Sequence, residues 1–188
     1  MSRARRHAAV AFALLGGSMV AQGAWIPAKA ALAQLLLERA WHKTRGGEDA
    51  VRPWPWADTW PVARLRVPGQ QRSVVVLEGA TGRTLAFGPG HLAGSASPGA
   101  PGNSVLAGHR DTHFAFLRRL APGDELAVED REGGSRRYRV REQLVVHETD
   151  TAVLAPSARP TLTLVTCYPF DTPVPGGPLR YVVVAEAS

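Results

Sequence analysis

From Pro61 to its C-terminus, the chain is a succession of short apolar segments separated by glycine and proline. Seven segments alternate apolar and polar residues or are rich in valine, leucine and threonine, which is typical of β-strands. They are residues 62–67, 73–79, 103–109, 124–130, 136–148, 160–167 and 180–187. Residues 114–120 indicate one or two helical turns. Many short strands with little helix predict a mainly β domain, either a closed or nearly closed barrel or a sandwich.

The turns between these strands are supplied by 19 glycines and 15 prolines among 188 residues. This content is below the level at which a chain lacks a core, so the strands are expected to pack. Residues 88–102 are rich in glycine, serine and proline and poor in apolar residues. We therefore expect a connection there rather than an element of the core.

The first 27 residues have the features of a membrane anchor. Three arginines precede an uncharged run of 19 residues, 8–26, which just reaches the span of a bilayer as a helix. Basic residues before such a run favour a cytoplasmic N-terminus. We therefore expect a single-pass protein of the inner (cytoplasmic) membrane whose remaining chain lies on the periplasmic side. A cleaved signal peptide is the alternative, because glycines dilute the run, and it would also export the domain.

Residues 28–60 are predicted to connect this anchor to the β domain, residues 61–188. Residues 28–45 have a broad apolar stripe and predict a stalk helix that the Gly46-Gly47 pair would end. The next residues contain several prolines, which exclude a regular helix. Their tryptophans either pack on the domain, which we favour, or lie at the lipid interface; they are Trp54, Trp56 and Trp60.

The net charge of +6 does not indicate a nucleic-acid-binding protein. Arg3, Arg5 and Arg6 lie before the apolar run, and in the domain basic residues alternate with acids, as in residues 130–132. A nucleic-acid face would need a clustered basic patch. We therefore expect no nucleic-acid partner.

Cys167 is the one cysteine of the chain, so no internal disulfide can form. A lone cysteine is usually a small buried apolar residue. Cys167, however, ends the strand of residues 160–167, and the Tyr168-Pro169 pair that follows stops regular pairing. A cysteine at a strand exit can reach solvent at the rim of a barrel. This position favours a reactive thiol.

His109 and Arg180 are the residues expected to work with this thiol. A cysteine nucleophile needs a base or a cationic neighbour, and His109 also ends a strand, with Gly108 allowing a close approach of backbone or substrate. Arg180 begins the last strand and could stabilise the oxyanion of a tetrahedral intermediate. In the alternative interpretation Arg180 only pairs with a surface acid, such as Glu78 or Asp171.

Other thiol enzymes fit less well. His109 lies 58 residues before Cys167, a separation similar to that of caspases, but the caspase Q-A-C-x-G motif is absent. In papain-like enzymes the cysteine comes first. An L,D-transpeptidase would carry a compact S-H-G-C-type motif, which is missing. Another exported thiol peptidase, or an inactive exported barrel that binds a partner, stays an alternative.

The remaining polar residues have simpler interpretations. His113 is the rival of His109, and Asp111 either orients His109 or caps a helical turn. His91 and His147 are expected to be structural. The acids of residues 124–130 could suggest calcium, but a solvated strand face is favoured, so no metal site is expected.

Three segments of the chain together resemble the sortase family. TLTLVTC resembles the sortase T-L-x-T-C signature, AGHRDTHF the strand that carries the catalytic histidine, and RYVVVA the last strand with its arginine. GPGH at residues 88–91 and PGNSVLAGHR at residues 101–110 extend the match. The resemblance covers residues 61–187. The ending TCYPFDTPVPGGPLRYVV looks most like the Gram-negative sortases, often called class GN.

The resemblance implies a closed eight-stranded β-barrel and a cysteine transpeptidase. Such an enzyme cleaves an LPxTG-like sorting motif near the C-terminus of an exported protein and holds it as a thioester on Cys167. It then transfers the acyl group to an amine, whose identity stays open, or to water. In this interpretation His109 transfers protons, Arg180 faces the oxyanion and Thr166 helps to bind substrate. No metal or organic cofactor is required.

Overall fold

In the computed structural model of the chain, residues 3–172 and 176–188 are described. Among residues 3–24, only residues 7, 12, 16, 19 and 23 are described beyond the backbone, so most of the expected anchor, residues 8–26, lies outside the described side chains. The chain divides into two compact units between Leu36 and Leu37. The first unit is helical throughout its described residues.

The helices and strands follow one another in a simple order. They are α1 (Arg3–Arg45), β1 (Pro61–Val67), β2 (Arg72–Glu78), α2 (Gly82–Leu85), β3 (Gly90–His91), β4 (Asn103–Ala107), β5 (Glu125–Asp130), β6 (Ser135–His147), β7 (Thr161–Tyr168) and β8 (Leu179–Ala187). Short 3-10 helices occupy Pro68–Gln70, Ala115–Arg119 and Ala152–Leu154.

The strands form a closed barrel in the order β1-β2-β3-β4-β7-β8-β6-β5. The β2–β3 and β4–β7 pairs are parallel, whereas the other neighbouring pairs are antiparallel. The closed eight-stranded β-barrel expected from the resemblance is confirmed. Each of the seven strand segments predicted from the sequence also corresponds to a strand, with ends that differ by at most two residues.

Strand β3 corrects the expectation that residues 88–102 are only a connection. Gly90 and His91 pair with β2 on one side and β4 on the other, so these two residues close the barrel. A Cβ at Gly90 would lie 2.1 Å from the Gly79 carbonyl oxygen. Glycine is therefore needed here for a close approach of two backbones. In the sequence, Gly90 lies in a glycine-rich stretch that indicates a turn. The pattern therefore does not predict a strand at this position.

The barrel interior is filled by the inward-facing side chains of almost every strand. Leu65, Val76, Leu106, Leu164 and Val183 are fully buried in one apolar cluster. The alternation of these residues with polar or outward-facing neighbours follows the period of two that the sequence shows. Because the core occupies the inward face of each strand, a site on the outside of the barrel must use the outward face.

A smaller apolar cluster lies on the outer side of β2. Leu37 and Trp41, from the last turns of α1, pack against Val75 and Leu77. α1 ends at Arg45, as predicted, since Gly47 with φ of 97° begins the turn that follows. The end of α1 thus covers part of the barrel.

The tryptophans of the connecting segment have different environments. Trp54 packs edge-on against Phe87 with ring centroids 4.8 Å apart, as expected for packing on the domain. Trp56 is instead 82% exposed. Among the residues that the structure describes, no helix contains a stretch long and apolar enough to cross a bilayer.

Candidate active site

Strand β7 lies between β4 and β8, and the candidate residues lie near its end. β4 runs parallel to β7, with Ala107 opposite Val165. β8 runs antiparallel to β7, with Arg180 directly opposite Cys167. The ends of β4 and β7 and the beginning of β8 therefore lie at the same rim of the barrel.

His109 approaches Cys167 from the β4 side. The Gly108 N–H donates to the Val165 carbonyl at 3.1 Å, so the pairing continues one residue beyond the end of β4. His109 is two residues past Ala107, and Cys167 is two residues past the Val165 that Ala107 faces. The pairing therefore brings the segment that carries His109 alongside the end of β7. His109 is exposed and Cys167 is half-buried, so a peptide can reach both.

Gly108 fixes the backbone just before His109. A Cβ at this position would lie 2.8 Å from the ring of Phe114. Phe114 is fully buried, and its N–H donates to the His109 carbonyl at 3.0 Å. The turn that carries His109 is therefore closed tightly over the core, and only glycine fits at residue 108.

Arg180 approaches Cys167 from the β8 side. Its Nη2 lies 2.5 Å from the Glu148 carboxylate, and its Nη1 donates to the carbonyls of Gly177 at 2.6 Å and Leu179 at 3.0 Å. The side chain is about one quarter exposed. Its guanidinium therefore lies at the rim with a defined orientation.

The acid that pairs with Arg180 is Glu148, whereas the sequence suggested Glu78 or Asp171. Those two carboxylates contact other residues. The strand pairing explains the difference, because β6 places Val146 opposite Arg180. Glu148 is two residues further along, on the same face of the sheet.

An open groove of about 200 Å³ lies on the outer face of the sheet, and Arg180 is one of its lining residues. Its floor is formed by residues of β4, β6, β7 and β8 and its wall by the segment that connects β6 to β7. The lining side chains are mostly aliphatic; they include Leu92, Val105, Val146, Val153, Leu154, Val165 and Val182. Cys167 lies on the same face of β7 as Val165, because side chains two residues apart along a strand share a face.

A family model described as the sortase domain matches residues 65–188, more than half of the chain. The chain belongs to the sortase family. Sortase D of Bacillus subtilis (strain 168) is 32% identical over 123 residues, which cover 65% of this chain and 61% of that protein. The chain thus matches less than two thirds of the length of this sortase.

Solved sortase structures agree with this assignment. A Clostridium perfringens Sortase D5 transpeptidase has a TM-score of 0.67 and 26% identity and covers 84% of this chain and 99% of its own. Sortase C-1 from Actinomyces oris has a TM-score of 0.61 and 33% identity and covers 68% of this chain and 72% of its own. The family resemblance seen in the sequence is confirmed, whereas the narrower likeness to the Gram-negative class stays a prediction.

Thr166, the threonine of the sortase signature, is only 3% exposed. Its hydroxyl donates to the Gly108 carbonyl at 2.7 Å. This bond joins the residue before Cys167 to the residue before His109. A role in substrate binding stays a prediction, while the structure shows a contact that aligns the two strand ends.

Arg110 is a residue of the site that sequence reasoning missed. It follows His109 directly, and its side chain donates from Nη1 to the Pro169 carbonyl at 2.7 Å and from Nη2 to the Thr172 carbonyl at 3.1 Å. Its Nε also donates to Asp111 at 3.3 Å. The arginine inside the AGHRDTHF motif was the available signal, but its partners depend on how the segment after β7 folds.

His113 and Asp111 take separate positions around His109. His113 is half-buried, and its pKa is lowered by burial first and then by the neighbouring His109. It therefore favours the neutral form. Asp111 is exposed and contacts Arg110.

The other histidines and acids of the domain have local partners. His91 is 7% exposed and lies 3.0 Å from both the Ala96 carbonyl and the Ser95 hydroxyl. His147 is exposed and contacts Thr149 at 2.8 Å. The acids of residues 124–130 pair with arginines or cap turns. Over the described part of the chain, no group of side chains is arranged to hold a metal ion.

Proposed function

We propose that this protein is a cysteine transpeptidase that cleaves an LPxTG-like sorting motif of an exported protein. One observation carries the proposal: Cys167, at the end of β7, has Arg180 as its direct cross-strand partner on one side and the His109 segment on the other. These are the three types of group that acyl transfer through a thiol requires: a nucleophile, a proton carrier and an oxyanion donor.

In the first half of the proposed reaction, Cys167 Sγ attacks the carbonyl carbon of the threonine in the motif. A carbon–sulfur bond forms, and the carbonyl electron pair moves to oxygen, which becomes an oxyanion near Arg180. When the oxyanion collapses, the carbon–nitrogen bond breaks and His109 gives its proton to the departing amine. The product is a thioester on Cys167.

In the second half, an amine or water attacks the thioester carbonyl and gives a proton to His109. The carbon–sulfur bond then breaks, and the thiolate of Cys167 is restored. The histidine thus returns to its protonated form, so the cycle needs neither a redox partner nor an organic cofactor. The groups that change protonation are all at the rim of the barrel.

Arg180 can face an oxyanion without first leaving Glu148. A guanidinium has five N–H donors in a fixed plane. The contacts shown for Arg180 use three of them, with Glu148, Gly177 and Leu179. The contact with Glu148 holds the plane of the fork, and the remaining N–H groups are available to a substrate oxygen.

The groove beside Arg180 supports a peptide substrate with aliphatic side chains. Its floor of valines on β4, β6, β7 and β8 suits the leucine and proline at the start of an LPxTG-like motif. Burying such side chains favours binding by roughly 25 cal/mol for each Å² removed from water. A charged peptide would gain much less from this surface.

We also propose that the N-terminal segment holds the enzyme at the inner membrane, with the barrel on the periplasmic side. The support is the arrangement of three arginines before an uncharged run. Alkaline phosphatase fused after Ser188 should then be active, and N-terminal sequencing of the membrane fraction should begin near Met1. A mature chain that begins near Ala31 would instead show a cleaved signal peptide.

The catalytic proposal is tested with a fluorogenic peptide that contains an LPxTG-like motif. Wild-type protein should cleave the peptide, and mass spectrometry should find the acyl group on the tryptic fragment that contains Cys167. Cys167→Ala should abolish cleavage while its circular dichroism stays that of the wild type. A wild-type protein that neither turns over the peptide nor reacts with a methanethiosulfonate reagent would instead support an inactive partner-binding barrel.

A further inference from the structure

We propose that Arg110 is a positioning residue of the active site, which holds the segment that carries His109 in register with the segment that follows Cys167. The inference rests on the proposed function, since it assigns Arg110 a role through those two residues.

The burial of Arg110 is the first argument. The residue is only 4% exposed, although a buried charge is strongly unfavourable unless it is paired or hydrogen-bonded. Asp111, which contacts its Nε, is itself mostly exposed. Both terminal nitrogens of the guanidinium donate to backbone carbonyls. A buried cation that binds backbone carbonyls holds the segments that carry them in a fixed geometry.

The position of those carbonyls is the second argument. Arg110 binds the carbonyls of Pro169 and Thr172, which lie two and five residues after Cys167. One residue before His109, the Gly108 carbonyl accepts from the Thr166 hydroxyl at 2.7 Å. The backbone of His109 is therefore joined to the Cys167 segment on both of its sides.

The shape of the guanidinium is the third argument. Its planar fork reaches two carbonyls three residues apart with one rigid group, whereas a lysine ammonium is a point charge on a flexible stem. The segment after Cys167 has a further support, because Phe170 packs on the barrel core and against Tyr181 at 5.1 Å. The segment should thus stay folded without Arg110 but lose its register with His109.

The test compares Arg110→Lys and Arg110→Met with wild type and with Arg118→Met. Arg118 is a matched control, because it contacts Asp171 of the same segment at 3.4 Å but is largely exposed. For each protein, kcat and KM are measured with the sorting-motif peptide. The rate of Cys167 alkylation by iodoacetamide is measured as a function of pH, and the melting temperature is recorded.

We expect kcat to fall about 10²-fold in both Arg110 variants, since displacement of a catalytic group by about 1 Å costs that much. KM should stay within about threefold, because the groove is untouched, and the pH profile of alkylation should shift. Arg118→Met should match wild type. Lysine should restore the melting temperature more fully than methionine does, yet leave kcat low.

A purely structural role predicts the opposite pattern. Arg110→Lys would then recover kcat and melting temperature together, and a kcat within about threefold of wild type in that variant would overturn the proposal. If Arg110→Met does not fold, Arg110→Lys alone decides the question. If wild type fails to turn over the peptide, the proposed function is wrong, but the alkylation profiles still show whether Arg110 controls the environment of Cys167.

Discussion

Arg180 faces Cys167 directly across the β7–β8 pair and at the same time binds Glu148 at 2.5 Å. The guanidinium thus joins the beginning of β8 to the residue that follows β6. Its orientation is set by groups on two sides, with Glu148 on one and the carbonyls of Gly177 and Leu179 on the other.

Arg180→Lys and Arg180→Ala should both lose most of the activity. Removal of one oxyanion donor typically costs about 10²–10³-fold in kcat, and lysine keeps the charge without the fork. An exposed ion pair is worth only about 0–1 kcal/mol, so a purely structural pair with Glu148 predicts near-normal kinetics. Values of kcat/KM within about threefold of wild type in both variants would remove Arg180 from the catalytic residues.

Glu148→Ala and Glu148→Gln distinguish two roles of Glu148: orienting the Arg180 guanidinium by accepting from it, and supplying a negative charge beside it. Glutamine keeps an oxygen that can accept from the guanidinium, so kcat should stay within about threefold of wild type. Alanine removes the acceptor, and kcat should fall about tenfold, a loss of about 1.4 kcal/mol in transition-state stabilisation. An alanine variant faster than wild type would mean that the contact with Glu148 keeps the Arg180 guanidinium away from the substrate.

His109→Ala should reduce kcat/KM far more than His113→Ala. General acid–base catalysis contributes roughly 10²–10⁴-fold, and the pairing of β4 with β7 brings the segment of His109 alongside the strand of Cys167. His113 is half-buried with a pKa lowered by burial, so its protonated form is less populated near neutral pH. The two variants are compared with the same peptide. Equal losses, or a larger loss at His113, would reverse the assignment.

His113 should make the fold less stable in weak acid. Burial lowers its pKa in the folded state, so the unfolded chain binds a proton more readily as the pH falls through about 6.5, the ordinary value for histidine. Stability linked to His113 is therefore complete above that pH and is lost as the pH falls towards the lowered folded-state pKa.

The linkage is measured as melting temperature against pH. His113→Gln should show a smaller fall in melting temperature between pH 7.5 and 5 than wild type, while both keep the same barrel by circular dichroism. Identical pH profiles for the two proteins would contradict the linkage, since the variant lacks the group that the unfolded chain protonates.

The sequence can predict those candidate site residues that lie at the ends of strands. Cys167, His109 and Arg180 could be proposed from the sequence because each lies where an apolar alternation begins or stops. Glu148 could not, since its contact with Arg180 follows from the register between β6 and β8. The sequence shows two strands but not the register in which they pair.

Two other features depend on backbone approaches that a linear pattern does not show. Strand β3 is two residues long and pairs because Gly90 allows another backbone to come close. Arg110 contacts carbonyls that lie about sixty residues away in the chain. In both cases the partner groups belong to the main chain, so residue types carry no signal of the contact.

The last turns of α1 also set a limit on how far the protein can be shortened for biochemical work. Leu37 and Trp41 are each about 1% exposed because they cover Val75 and Leu77 on β2. A recombinant chain that begins at residue 61 would leave that strand face bare, and exposed apolar patches promote aggregation. A chain that begins at residue 37 keeps the cover, so it should stay in solution at concentrations where the shorter one precipitates.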